Sequence, residues 1–153
     1  MTELELELSL HVESGVTSAL PEDRISDLTR FVLNENGKSG RWSIAVVLTS
    51  DDHLQRLHRD FMGVDSPTDV MTFPAEPVAG ESDAGGDIVV SVERAEEQGA
   101  EHGHSKEEEI EFLIVHGLLH LCGWDDHDVA DRSRMLDYQS ELIRAFAEGQ
   151  VDI

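Results

Sequence analysis

Residues 105–127 read SKEEEIEFLIVHGLLHLCGWDDH, and this stretch decides both the fold class and the chemistry. Ser105 followed by Glu108 is the S-x-x-E pattern of a capped helix start. Ile110, Leu113, Ile114, Gly117, Leu118 and Leu121 then recur at helical spacing. Gly123 stands where a glycine ends a helix. Within the helix, His116 and His120 are one turn apart on one face. That spacing lets two imidazoles bind one metal ion with only the helix as scaffold. Beyond the Gly123 break, His127 can fold back and supply a third nitrogen. Three neutral ligands leave the fourth tetrahedral position open, as in catalytic rather than structural zinc sites. Zinc held this way lowers the pKa of its water to about 7. The residue after His116 is Gly117, where an H-E-x-x-H metalloprotease carries its glutamate base, so peptide hydrolysis is disfavoured.

Upstream, Leu4, Leu6, Leu8, Leu10 and Val12 occupy alternate positions, the period of a half-buried strand. Pro21 opens a helix with Ile25, Leu28, Phe31 and Val32 on one face, closed by Asn36-Gly37. Trp42–Leu48 reads as a second strand, and Ser50 caps a helix running to Gly63. Thr68–Pro74 and Asp87–Ser91 are two further strands, separated by the aperiodic AEPVAGESDAGG, which reads as a surface loop. A short helix over Ser91–Gln98 precedes the histidine helix, and Asp128 caps a last one through Phe146. The order β-α-β-α-β-β-α-α-α describes an α+β domain with one sheet and about five packed helices, a zincin-like metal helix among them.

The chain has 153 residues, 33 acidic and 11 basic, for a formal net charge of −22. That length predicts a single domain over 1–153. Cys122 is the only cysteine, which excludes an intramolecular disulfide framework and fits a reducing compartment. It is expected to pack rather than to react. The N-terminus lacks the marks of a signal peptide, and no apolar run is long enough to span a membrane, so a cytoplasmic protein is expected. The −22 charge repels phosphate backbones and by itself argues against a nucleic-acid partner. His11, His53 and His58 lack ligand-like spacing, and His102 and His104 precede the helix cap, so all five are expected outside the metal site.

The run FLIVHGLLHLCGWDDH resembles the H-G-x-L-H-L-x-G-[YW]-D-H signature of the YbeY-type endoribonucleases, the rRNA maturation factor family. SPTDVMTFP from Ser66 and GGDIVVS from Gly85 are similar to two strands of the same family, in the same order. The resemblance implies a mixed four-stranded sheet and one zinc ion on three histidines, with His116 and His120 matching the first two. It also implies cleavage of single-stranded rRNA, in 16S 3′-end maturation and ribosome quality control, with the small ribosomal subunit as partner and no DNA. Two departures stand out. One extra aspartate in Gly123-Trp124-Asp125-Asp126-His127 shifts the third histidine by a position. Either the turn bulges and His127 still binds, which is the expectation, or Asp126 takes the ligand place, since a carboxylate is also a sound zinc ligand. Many members carry an arginine after an aromatic residue, whereas Met62 follows Phe61 here. Arg59, with Arg56 one turn before it, is the candidate substitute, so the expected catalytic pair is His116 and Arg59. Asp69 and Asp87 could orient a ligand histidine or merely cap local turns. The alternative function is a ribosome-assembly factor with a mainly structural zinc, whose acidic surface would suit basic ribosomal proteins.

Overall fold

The alternating N-terminal segment forms β1 (Leu4–Val12) in the computed structural model, which describes residues 3–75 and 84–151. Its leucines are half-buried while Glu5 and Glu7 face solvent, as the period of two requires. α1 (Glu22–Glu35) follows Pro21, β2 spans Gly40–Thr49, and α2 spans Asp51–Met62. β3 (Val70–Pro74) and β4 (Ala84–Ser91) precede α3 (Val92–His102), α4 (Lys106–Leu121) and α5 (Val129–Val151). The sheet order is β1-β2-β4-β3, with β1, β2 and β4 parallel and β3 antiparallel on the outer edge. This is the mixed four-stranded α+β architecture the sequence predicted, with elements in the predicted order.

The start of β4 differs for a physical reason. Of the loop expected over residues 75–86, residues 76–83 lie outside the described residues, and 84–86 extend β4 instead. Gly85 and Gly86 serve close approach between strands: a Cβ on Gly85 would lie 1.9 Å from the Ser43 carbonyl oxygen, and one on Gly86 2.3 Å from that of Phe73. Glycine composition suggested a turn, but here it lets β4 pair on both sides.

One face of the sheet carries the main core. Ile44, Val46 and Leu48 of β2 and Ile88 and Val90 of β4 meet Ile25, Leu28 and Val32 of α1 and Ile110, Ile114 and Leu118 of α4. Met135, Leu142 and Phe146 of α5 close the cluster. On the other face, Leu54 of α2 packs with Met71 and Val89. α4 is therefore enclosed between sheet and helices. Gly117 touches the sheet so closely that an added Cβ would sit 2.8 Å from Ile88 Cγ2. Its N-terminus carries a complete capping box, in which Ser105 Oγ accepts from the Glu108 N–H and Glu108 accepts from the Ser105 N–H. That backbone bond, helped by the Ser105 hydroxyl, lowers the Glu108 pKa below its ordinary value of 4.5. Arg24 forks onto the buried Glu111 at 2.5 and 3.2 Å, tying α1 to α4.

Candidate metal centre

His116 and His120 project from the last two turns of α4, where Cys122 caps the helix and Gly123 (φ 100°) reverses the chain. The reversal is anchored by Trp124, which stacks on Tyr138 with ring centroids 4.7 Å apart and donates its indole N–H to Asn36 Oδ1 at 2.9 Å. These contacts aim the Trp124 carbonyl at His120, whose Nδ1–H donates to it at 3.1 Å. A carbonyl can only accept, so Nδ1 of His120 bears a hydrogen, and in the neutral ring Nε2 carries a lone pair. His116 is fixed in the same way. The Gln139 amide nitrogen donates to the Phe112 carbonyl at 2.8 Å, which turns Gln139 Oε1 toward His116 Nδ1 at 3.0 Å. Both Nε2 lone pairs therefore converge, 3.1 Å apart.

Two lone pairs at that separation repel unless a cation or proton lies between them. Asp126 completes the arrangement, with Oδ2 3.6 Å from His116 Nε2 and 3.5 Å from His120 Nε2. Ligands about 2.1 Å from a tetrahedral zinc lie about 3.4 Å from one another. The three donor atoms of His116, His120 and Asp126 meet that spacing, and they form a cluster able to hold a metal ion. A borderline ion such as zinc suits two imidazoles and a carboxylate.

His127, the expected third ligand, is not brought to the pair. Its side chain is 88% exposed, and its Nδ1 lies 2.8 Å from Asp125 Oδ1. Asp125 also accepts from the His127 backbone N–H, and this local turn sends residues 125 and 127 away from the cluster and residue 126 into it. Arg59 pairs with its neighbour Asp60 at 3.2 Å and is absent from the cleft lining, while Arg56 is exposed. The orienting partners of the histidines are Gln139 and the Trp124 carbonyl, not Asp69 or Asp87. Asp69 accepts from Gln98, and Asp87 is exposed on β4. Cys122 is half-buried against the core, and burial pushes its thiol pKa up, as expected for packing rather than reactivity.

The cluster lies in an open cleft of about 530 Å³ between α2, β3 and α4. Thr68, Asp69, Met71 and Thr72 form one wall, and His58 and Met62 another. Among the described residues, no lysine or arginine lines it. His58 was not expected here, yet its Nδ1–H donates to the Ser66 carbonyl at 3.0 Å, which leaves Nε2 as an acceptor. Its position one turn after Leu54, which packs beneath the sheet, was the available signal. Gln139, fully buried on α5, carried no signal, because its role depends on how α5 crosses α4.

Fold and donor set together define a small α+β protein with a helix-borne candidate metal centre in an open cleft. Residues 11–147 match the family model of Endoribonuclease YbeY, and the chain belongs to that family. It is 39% identical over 134 residues to Endoribonuclease YbeY of Halalkalibacterium halodurans, covering 78% of this chain and 84% of that protein. It is 35% identical over 153 residues to Endoribonuclease YbeY of a Synechococcus strain, covering 94% of each. The solution structure of TM1509 from Thermotoga maritima is similar with a TM-score of 0.63 at 28% identity, covering 94% of this chain and 91% of that one.

Proposed function

We propose that the protein is a zinc-dependent endoribonuclease that cuts single-stranded RNA in the cytoplasm, acting in 16S rRNA 3′-end maturation and ribosome quality control. His116, His120 and Asp126 would hold one ion. The observation that carries this reading is the pair of Nε2 lone pairs 3.1 Å apart, each fixed by a protein acceptor on the opposite nitrogen. When bound, zinc supplies Lewis acidity toward a phosphate and acidifies water for attack.

The chain's own residues do the rest. Gln139 and the Trp124 carbonyl hold the imidazole tautomers, as outer partners do in zinc sites. His58 Nε2 and the Asp69 carboxylate are cleft groups able to take a proton. The open edge of β3 offers neutral backbone and threonine donors to an extended strand. Gly117 is closed against Ile88, so no glutamate base could stand there, which separates this site from H-E-x-x-H proteases. Arg59, one turn before Met62 on α2, is proposed as an RNA contact outside the cleft lining. Because the net charge is −22, binding should be modest and should weaken steeply with salt.

The test is cleavage of a single-stranded 16S 3′-end fragment by zinc-loaded protein, with and without chelator, beside His116→Ala. Loss of cleavage in both controls is the expected result. Equal cleavage by the variant, or none by folded, zinc-containing wild type, would overturn the isolated-enzyme reading and favour an assembly factor with a structural zinc.

A further inference from the structure

We propose a second divalent-cation site, of the zinc class, at His102, His104 and Glu109. The three side chains meet at the turn joining α3 to α4. His102 ends α3, Gly103 adopts the left-handed conformation (φ 76°) that reverses the chain, and His104 precedes the Ser105 cap. The reversal is tight: the His104 N–H donates to the Gly99 carbonyl at 2.7 Å. Both imidazoles consequently face the first turn of α4. His102 Nδ1 lies 3.3 Å and His104 Nδ1 3.0 Å from the same carboxylate oxygen, Glu109 Oε1. Those separations match the roughly 3.4 Å edges of a tetrahedral zinc site, and the three residues form a donor cluster of metal-binding dimensions.

An independent observation points to a missing partner. Glu109 is fully buried, and its second oxygen, Oε2, has no hydrogen-bond partner among the described residues. A buried carboxylate oxygen left bare is costly, and such atoms call for an ion or water. Histidine donation explains Oε1 alone. A cation bound by the carboxylate and both Nδ1 atoms neutralises the whole group.

Glu109 and His102 also line a cavity of about 280 Å³ whose other walls include Asp69 and His116. Asp69 and His116 line the main cleft as well, so the cavity adjoins it and gives an ion a way in. Glu109 precedes His116 by seven residues on α4, about 10 Å along the axis, too far for one ion to serve both clusters. The second ion would pin the α3–α4 turn, where the chain otherwise relies on Gly103 and the capping box.

The experiment is calorimetric zinc titration of metal-free protein, with thermal melts at each stoichiometry. The variants are the double substitution His102→Ala/His104→Ala, both half-exposed and so tolerable to the fold, and His116→Ala. Wild type should take two equivalents, and each variant one. The second equivalent should raise the melting temperature of wild type but not of the double variant. A single equivalent in wild type that His116→Ala loses and the double variant keeps would overturn the proposal. So would two equivalents retained by the double variant, because the second ion would then lie elsewhere.

Discussion

A two-histidine, one-carboxylate cluster lies at each end of α4, and the two differ in what holds the imidazoles. At the C-terminal end, His116 and His120 give their Nδ1 protons to Gln139 and the Trp124 carbonyl, so the Nε2 lone pairs turn inward. At the N-terminal end, His102 and His104 aim Nδ1 directly at Glu109. The first cluster is organised from outside by α5 and the Trp124 turn, and it opens on a large cleft. The second is organised by one short turn around a buried charge. Similar donor sets thus suit different work: a cleft ion can meet a substrate, whereas a turn ion chiefly holds the chain.

Breaking the C-terminal cluster should give the largest effect. Asp126→Ala is expected to weaken zinc binding by more than about 100-fold, beyond the usual range for changes behind a metal site. His127→Ala should leave the affinity unchanged. Competition titration against a chromophoric chelator measures both, and the reverse order would restore His127 as the ligand. Asp126→His sharpens the point, since a third imidazole at that place should bind zinc at least as tightly.

The outer partner comes next. Gln139→Leu should cost about 10- to 100-fold in zinc affinity, because His116 loses the acceptor that fixes its tautomer. Gln139→Glu keeps an acceptor toward Nδ1 but loses the bond to the Phe112 carbonyl, so it should recover only part of the loss. If both variants fall equally, packing and not tautomer control is the role of Gln139.

Gly117→Ala tests how closely the helix sits on the sheet. A Cβ 2.8 Å from Ile88 Cγ2 forces either the buried Ile88 side chain or the helix to shift, so the variant should lose about 1–3 kcal/mol in urea denaturation. It should also disturb the adjacent His116. An unchanged midpoint would mean that Ile88 or α4 can give way at little cost.

The smallest effect belongs to the N-terminal end. Ser105→Ala should cost about 1 kcal/mol through the lost cap. Acid dependence sharpens this through Glu108, whose folded pKa is lowered chiefly by the Ser105 backbone N–H. A lowered folded pKa means stability that is fully present above the unfolded value and lost as pH falls through the folded one. The stability gap between wild type and Glu108→Gln should therefore be widest above the ordinary carboxylate value of 4.5 and should close as pH falls below it through the lowered folded value. A gap independent of pH would place the contribution in helix propensity, not in charge.

Element order was legible from the sequence because periodicity is local. Alternating leucines made β1, the three- and four-residue spacing of Ile110 to Leu121 made α4, and Ser105, Ser50 and Asp128 each marked a helix start. The pairing of His116 with His120 was equally local, since four residues on a helix fix two side chains to one face. Gly85 and Gly86 misled because a glycine in a turn and a glycine between crowded strands look alike until the neighbouring strand is present.

The sequence by itself determined the helices, the strands, the histidine pair and the −22 charge, all of which follow from neighbours along the chain. Only the tertiary structure decided that Asp126 and not His127 turns toward the pair, that Gln139 on α5 sets a tautomer, and that Glu109 is buried beneath two histidines. Each of these depends on a chain reversal or on a helix crossing, where a rotation of one residue moves a side chain from the cleft to solvent.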